Sequence, residues 1–309
     1  MRNFHKSGNC YTFGDTIHDK RKRHTKKIGP ANGLVLELEI GRRHYLSLTP
    51  SVGVKILIHN NSGYVFPPDS GVVAGPGYST SIGIKRVETY LLPPPYGICV
   101  DGNSEESRKK NMYAHWGYAY TNHECRRTCF QVALLNSCNC TDDNIPGGVG
   151  TLLGSAEATR KYGNLTVPEC DTKLHGKCLR DTEKDNQVDG FGCADKCPPS
   201  CDSVKYDKFL SQAVWPAEGY LRHFLRKVNM SYHRRNQTFP PHGASEDYVR
   251  KHFMRLEIHY ESMEYEVKRT IPSYDWNKVL SDVGGQLGLW LGFSILTAVE
   301  LGEFGLNLL

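Results

Sequence analysis

Apolar and polar side chains alternate in two early stretches, "GLVLELEI" (Gly33–Ile40) and "VKILIH" (Val54–His59). This period-two pattern predicts half-buried strands. From Asn60 to Pro95 the chain is rich in Gly, Pro and β-branched residues, which predicts more strands and turns, and the stiff "LPPPYGIC" (Leu92–Cys99) ends that region. A helix is predicted near "HECRRTCFQVALL", where Cys125 and Cys129 lie four apart on one face. Residues 141–169 carry Pro146, several glycines and a sequon, and read as loose. "AEGYLRHFLRKV" (Ala217–Val228) places Leu221, Phe224, Leu225 and Val228 at i, i+3, i+4 and i+7, an amphipathic helix. Ser245 is an N-cap candidate for a second short helix. "RLEIHYESMEYEVKR" (Arg255–Arg269) alternates again and predicts one returning strand, with Leu256, Ile258 and Tyr260 on one face. The pattern as a whole is α+β, with the strands expected to be antiparallel.

The chain then changes character in "VLSDVGGQLGLWLGFSILTAVELGEF" (Val279–Phe304). Val283 to Val299 are seventeen residues without a charge, at the short end for spanning hydrocarbon. Gly284, Gly288 and Gly292 make two consecutive G-x-x-x-G steps, a strip that lets another backbone approach closely. Gln286, Thr297 and Glu300 fall near another common face, with Ser294 beside it. A single-pass anchor explains the apolar residues and a dimerisation motif the glycines. Polar groups in a membrane mostly face a bundle interior or a water-filled pathway, which suits a pore lined by several copies of one helix. The residues by themselves leave pore and anchor balanced. A lipid-anchor signal would be uniformly apolar, and Glu300 and Glu303 argue against one.

At 309 residues the chain is long enough for two or three subdomains, and its net charge of +5 comes mostly from "KRKRHTKK" (Lys20–Lys27). Gly29, Pro30, Asn32 and Gly33 follow that run at once, so it reads as a solvated loop, with no nucleic-acid partner expected.

The cysteines change the picture more. Ten of the eleven fall between residues 99 and 201, the density of a disulfide-built module in an oxidising compartment. Structural zinc sites usually offer C-x2-C pairs, and none occurs. Sequons at Asn60, Asn139, Asn164, Asn229 and Asn236 agree with export, although bridging of Cys140 would block Asn139. "MRNFHKSGNCYTFG" has no apolar core of a signal peptide, so the true N-terminus is expected to be missing. One arrangement of the cysteines is a nested ladder joining two antiparallel arms; ten cysteines permit many pairings, and spacing does not choose among them.

"GNCYTF" (Gly8–Phe13), "LPPPYGIC", "CRRTC" (Cys125–Cys129), "CNC" and "GGQLGLWLGFSILTAVEL" (Gly284–Leu301) occur in the order of one known family. From Gly8 to about Phe304 the chain resembles the degenerin / epithelial sodium channel / acid-sensing ion channel superfamily. The resemblance implies a trimer of sister subunits in the plasma membrane, each multi-pass with two membrane helices around an extracellular disulfide-rich domain. Such channels conduct Na⁺, are typically blocked by amiloride and need no cofactor. It implies the ladder Cys99–Cys201, Cys125–Cys197, Cys129–Cys193, Cys138–Cys178 and Cys140–Cys170, with the partner of Cys10 upstream of this sequence. It also implies a partial palm and β-ball in 1–98, a laddered thumb in 99–205, a helical knuckle in 206–252, a returning palm strand and linker in 253–275, and a second transmembrane helix in 276–309.

The family's G-x-S selectivity motif falls on Gly292, Phe293 and Ser294, where backbone can leave helical geometry and line the constriction. Ser281 falls on the degenerin position and Gly288 on one tied to amiloride block. Asp282 stands at the outer mouth, and Glu300 and Glu303 below the filter. The first membrane helix, the cytoplasmic N-terminus with its gating His-Gly motif and much of the early ectodomain are missing from the pattern. The chain is therefore expected to be a fragment that forms no channel alone. Opposite the thumb's Asp181, Glu183 and Asp185 lies the basic "IGRRHYLSL" (Ile40–Leu48); Arg42 and Arg43 would keep those carboxylates ionised. Proton gating thus ranks below constitutive, mechanical or peptide-driven opening, with an extracellular peptide or other gating ligand as a further partner. The competing class is a non-conducting, single-pass receptor or binding ectodomain. No G-x-S-x-G, H-E-x-x-H or P-loop pattern supports an enzyme.

Overall fold

In the computed structural model, residues 2–4, 8–14, 24–42, 45, 47, 49–66, 70–142, 168–188, 192–234, 245–292 and 294–307 are described. The centre is a mixed sheet built on one long strand, β6 (Tyr78–Tyr90). Two short strands at the start of the chain, β1 (Arg2–Phe4) and β2 (Gly8–Cys10), pair only with each other. β7 (Asp202–Val214) runs antiparallel along all of β6, from Tyr78↔Val214 to Tyr90↔Asp202. On the other side, β8 (Phe253–Tyr260) pairs parallel with Ser79–Ile84 and β9 (Glu266–Arg269) with Val87–Tyr90. β3 (Leu34–Glu39) closes the sheet antiparallel to β8.

The single strand expected over Arg255–Arg269 is therefore two strands laid end to end against β6. Pairing stops at Ile84↔Tyr260 and resumes at Val87↔Glu266, so Glu261–Tyr265 face only Lys85 and Arg86 and loop out. The sheet is also mixed rather than purely antiparallel, because β8 and β9 both run with β6.

The alternation read in β3 and β8 sorts the two faces. Leu36, Leu38, Met254, Leu256, Ile258 and Tyr260 join Ile82 and Ile84 in one core, covered by the hairpin β4 (Val54–Ile56) and β5 (Val72–Ala74). At one end of the sheet a second core forms under two helices, α5 (Glu218–Arg234) and α6 (Glu246–His252), where Trp215, Phe224, Val228, Val249 and Phe253 meet. Ser245 caps α6, its hydroxyl accepting the Tyr248 N–H at 3.2 Å.

Between β6 and β7 the chain makes its disulfide arm. After the short α1 (Glu105–Lys109) comes α2 (Asn122–Cys138), which packs on α3 (Thr172–Val188) and on the one-turn α4 (Cys193–Lys196). α3 was not foreseen, since Gly176 and a polar composition obscure its period; its first turn is fixed by Asp171, which accepts the Lys173 N–H at 2.7 Å. Beyond β9 the chain ends in α7 (Trp276–Leu291) and α8 (Ile295–Asn307).

Candidate functional site

Asp275 starts α7 by accepting the Lys278 N–H at 2.9 Å, an N-cap that satisfies one of the helix's open donors. At the end of the helix's second turn, the Asp282 carboxylate accepts the Tyr274 hydroxyl, and this bond raises the tyrosine's pKa. Ser281, Gly285, Gly288 and Gly292 follow at i, i+4, i+7 and i+11, one face of the helix. A Cβ built at Gly284, Gly285 or Gly292 meets nothing within 4 Å, so this small-residue side is open in one copy of the chain. Gln286 does not stand alone: its side-chain oxygen accepts the Trp290 indole N–H at 2.9 Å.

The terminal helix expected in 276–309 is interrupted at Gly292 and forms two helices. Gly292 takes a left-handed conformation, φ +59°, and its N–H bonds back to Leu287 O, which terminates α7 as a glycine cap does. Ser294 restarts the chain: its hydroxyl and that of Thr297 each accept the other's backbone N–H at 3.4 Å. This reciprocal bonding resembles a capping box and opens α8. Thr297 is therefore engaged with Ser294, and the face that Gln286 would share with Thr297 and Glu300 does not carry through the break. At 16 residues, α7 is about 24 Å long. No helix among the described residues is long and apolar enough to cross a membrane. Glu300 and Glu303 are exposed on α8, and Phe293 lies outside the described residues.

This segment is tied to the sheet through β9. Thr270 N–H donates to Tyr90 O at 2.9 Å, Glu266 pairs with Lys85 at 3.2 Å, and Arg269 lies over the Tyr90 ring at 5.5 Å. The arm joins the same end of β6. Its bridges are Cys99–Cys201, Cys125–Cys197, Cys129–Cys193, Cys138–Cys178 and Cys140–Cys170. Cys10 lies outside this ladder at the end of β2, half-buried, with its thiol pKa raised by burial.

At its other face the arm meets the residues before β5. Thr121 and Glu124 form a capping box at the start of α2, and Glu124 also accepts the Tyr64 N–H. Burial pushes the Glu124 carboxyl up to about 8, against the bonds from Tyr64, Thr121 and Asn111 that favour its ionised form. Tyr64 stacks on Tyr113 at 4.3 Å, with Phe66 edge-on to both. Tyr120 donates its hydroxyl to Pro198 O at 2.6 Å, and burial pushes its pKa up to about 12. The sequence reading missed Glu124; the T-x-x-E spacing at Thr121–Glu124 was the available signal.

Of the carboxylates expected on the arm, Asp181 is exposed, as is Arg42, and no ion pair joins them among the described residues. Arg43 and the side chains of Glu183 and Asp185 lie outside those residues. Asn60 donates its amide to Ser62 Oγ at 2.8 Å. Asn139 is left-handed at the end of α2 between two bridged cysteines, and Asn229 is exposed on α5. Asn164 and Asn236 lie outside the described residues.

A family model described as "Amiloride-sensitive sodium channel" matches residues 2–304. The chain is 31% identical over 302 residues to degenerin del-1 of Caenorhabditis elegans, covering 98% of this chain and 40% of that protein. It is 29% identical over 296 residues to degenerin mec-10 of the same organism, covering 95% of this chain and 36% of that protein. Human acid-sensing ion channel 2 is 28% identical over 313 residues, covering 97% of this chain and 52% of that protein. The chain thus spans about a third to a half of the length of these relatives.

Proposed function

The chain belongs to the amiloride-sensitive sodium channel family, and on that premise we propose that it forms part of a pore-lining subunit of a trimeric, sodium-permeable channel. The observation that carries this reading is the helix break at Gly292. The last carbonyls of α7 have no intrahelical partner, and the helix's negative end points the same way, so the break collects acceptors suited to a partly dehydrated cation. Open backbone of this kind is tolerated at membrane depth only where it faces protein or water.

In the proposed assembly three sister subunits meet along the small-residue side of α7, in the lipid of the plasma membrane. Gly292, Phe293 and Ser294 form the constriction. Asp282 concentrates cations above it, and Glu300 and Glu303 do so below. Ser281 and Gly288 lie on the wall above the filter, where amiloride binds. The extracellular part comprises the sheet and the laddered arm, and opening is transmitted from these through β9.

The reading is tested in a chimera that carries residues 2–304 of this chain in place of the matched segment of human acid-sensing ion channel 2. Amiloride-blockable sodium current in oocytes supports it. A chimera that reaches the surface with its five bridges intact and stays silent, under acid and with a bulky residue at Ser281 alike, contradicts it.

A further inference from the structure

The helix α5 carries a charge pattern that its packing does not explain. Phe224 and Val228 face the core, with Leu221, Leu225 and Tyr232 beside them. Arg222, Arg226, Met230 and Arg234, at i, i+4, i+8 and i+12, run along the opposite side, and all four are exposed. His223 and His233 flank them, exposed as well. After Glu218 the helix has no carboxylate of its own. Glu37 and Glu39 reach it from β3, where they take Lys227 at 2.6 Å and the Tyr232 hydroxyl. Among the described residues no ion pair involves Arg222, Arg226 or Arg234.

Two other surface helices of this chain balance their charges internally. In α1, Glu105 pairs with Lys109 and Glu106 with Lys110; in α6, Glu246 pairs with Arg250 and Asp247 with Lys251, each at i, i+4. α5 instead sets Arg226 one turn after Arg222, a like-charge pair that weakens a helix on its own. The helix dipole accounts for His233 and Arg234 in the last turn, but not for two arginines in the first half. Local stability therefore does not explain the pair, whereas an anionic partner does.

Position and chemistry select the anion. α5 packs at the Tyr78 end of β6, and α7 leaves from the Tyr90 end, about 40 Å away along the strand. The stripe thus stands far from any lipid headgroup that the terminal helices reach. A protein partner would need apolar anchors at the centre of the contact, and this side of α5 exposes Met230 alone. Arginine forks match the oxygens of tetrahedral and planar anions and need no apolar surround. We propose that the outer side of α5 binds a linear sulfated polysaccharide of the extracellular matrix. Arg222 and Arg226 hold neighbouring sulfate groups, and Arg234 lies about 18 Å further along the same axis than Arg222. The proposal needs an extracellular placement of this helix and does not depend on conduction.

Heparin serves as the probe. The full chain in phosphatidylcholine nanodiscs is measured against immobilised heparin across a salt series, after enzymatic removal of N-glycans because the sequon at Asn229 borders the stripe. Arg222→Gln combined with Arg226→Gln should weaken binding about tenfold, the size of two exposed ion pairs. It should also lower the slope of log affinity against log salt by about one to two. Lys109→Gln combined with Lys110→Gln removes the same net charge from α1 and should leave both quantities nearly unchanged. Desulfated heparin should not bind. Equal losses in the two double variants, full affinity in the α5 variant, or a loss only on neutralising the basic run Lys20–Lys27, overturns the proposal. So does binding to phosphatidylserine vesicles through these arginines with none to heparin. Both arginines are exposed and glutamine is a good helix former, so the α5 variant keeps its fold.

Discussion

Glu124, wholly buried at the third position of α2, accepts the backbone N–H of Tyr64 sixty residues before it. A second oxygen accepts the Thr121 N–H at 3.2 Å, so one carboxyl both caps the arm's long helix and docks it on the β-rich body. Ala119 N–H adds a bond to Ser62 O at 2.7 Å, and the Tyr64, Phe66 and Tyr113 rings close over the junction.

That carboxyl makes the junction sensitive to pH. Its folded pKa of about 8 stands above the ordinary 4.5, so the folded chain holds a proton that the unfolded chain releases. The stabilisation is complete below about 4.5 and is lost as pH rises through about 8. Thermal unfolding at pH 5 and pH 8.5 should give a lower Tm at the higher pH, and Glu124→Gln should flatten that difference. An unchanged pH slope in the variant would count against the assignment.

The five bridges should not contribute equally. Cys125–Cys197 adds only four residues on each side of Cys129–Cys193, whereas Cys99–Cys201 adds twenty-six on one side and four on the other. Loop-closure entropy then makes the double alanine variant at 125 and 197 about 1 kcal/mol less costly than the one at 99 and 201. Denaturant unfolding of the two double variants checks the order.

Phe224 on α5 is fully buried, edge-on to Trp215 at 4.7 Å and to Phe253 at 5.3 Å. Phe224→Ala leaves a cavity between the helix and the end of the sheet, with an expected loss of ~3–5 kcal/mol. Glu37, bonded to Lys227 and Tyr220 of the same helix, is expected to matter less, within about 1 kcal/mol on substitution by Gln, because Lys227 is largely in water. Equal losses in the two variants would show that ion pairing, not packing, holds α5.

Much of this architecture was legible in the chain itself. Alternation gave β3 almost to the residue, and the 3.6 period gave α5, which runs six residues past its expected end because Tyr232 still reaches Glu39 on β3. Ser245 was recognisable as a cap because capping is local chemistry. The break inside Arg255–Arg269 was not legible, since it is set by register against β6, a partner far away in the sequence. The glycine strip of α7 could be read as a face, whereas a departure from helical geometry near Gly292 was expected only from the family resemblance, because one residue's φ is hidden within an apolar run. Glu124 escaped notice because its burial comes from a distant element, the Tyr64 segment.

The central claim is that the polar terminal segment lines a sodium-selective path, and Ser294 tests it most directly. In the chimera carrying residues 2–304, reversal potentials in sodium and potassium solutions give the permeability ratio for the unmodified segment, for Ser294→Ala and for Ser294→Asn. Asn retains a side-chain oxygen able to cap α8 while occupying more of the constriction, which separates pore lining from helix capping. The expected result is a clear fall in the Na⁺/K⁺ ratio in both variants with amiloride-blockable current retained; a ratio unchanged in both would contradict the account.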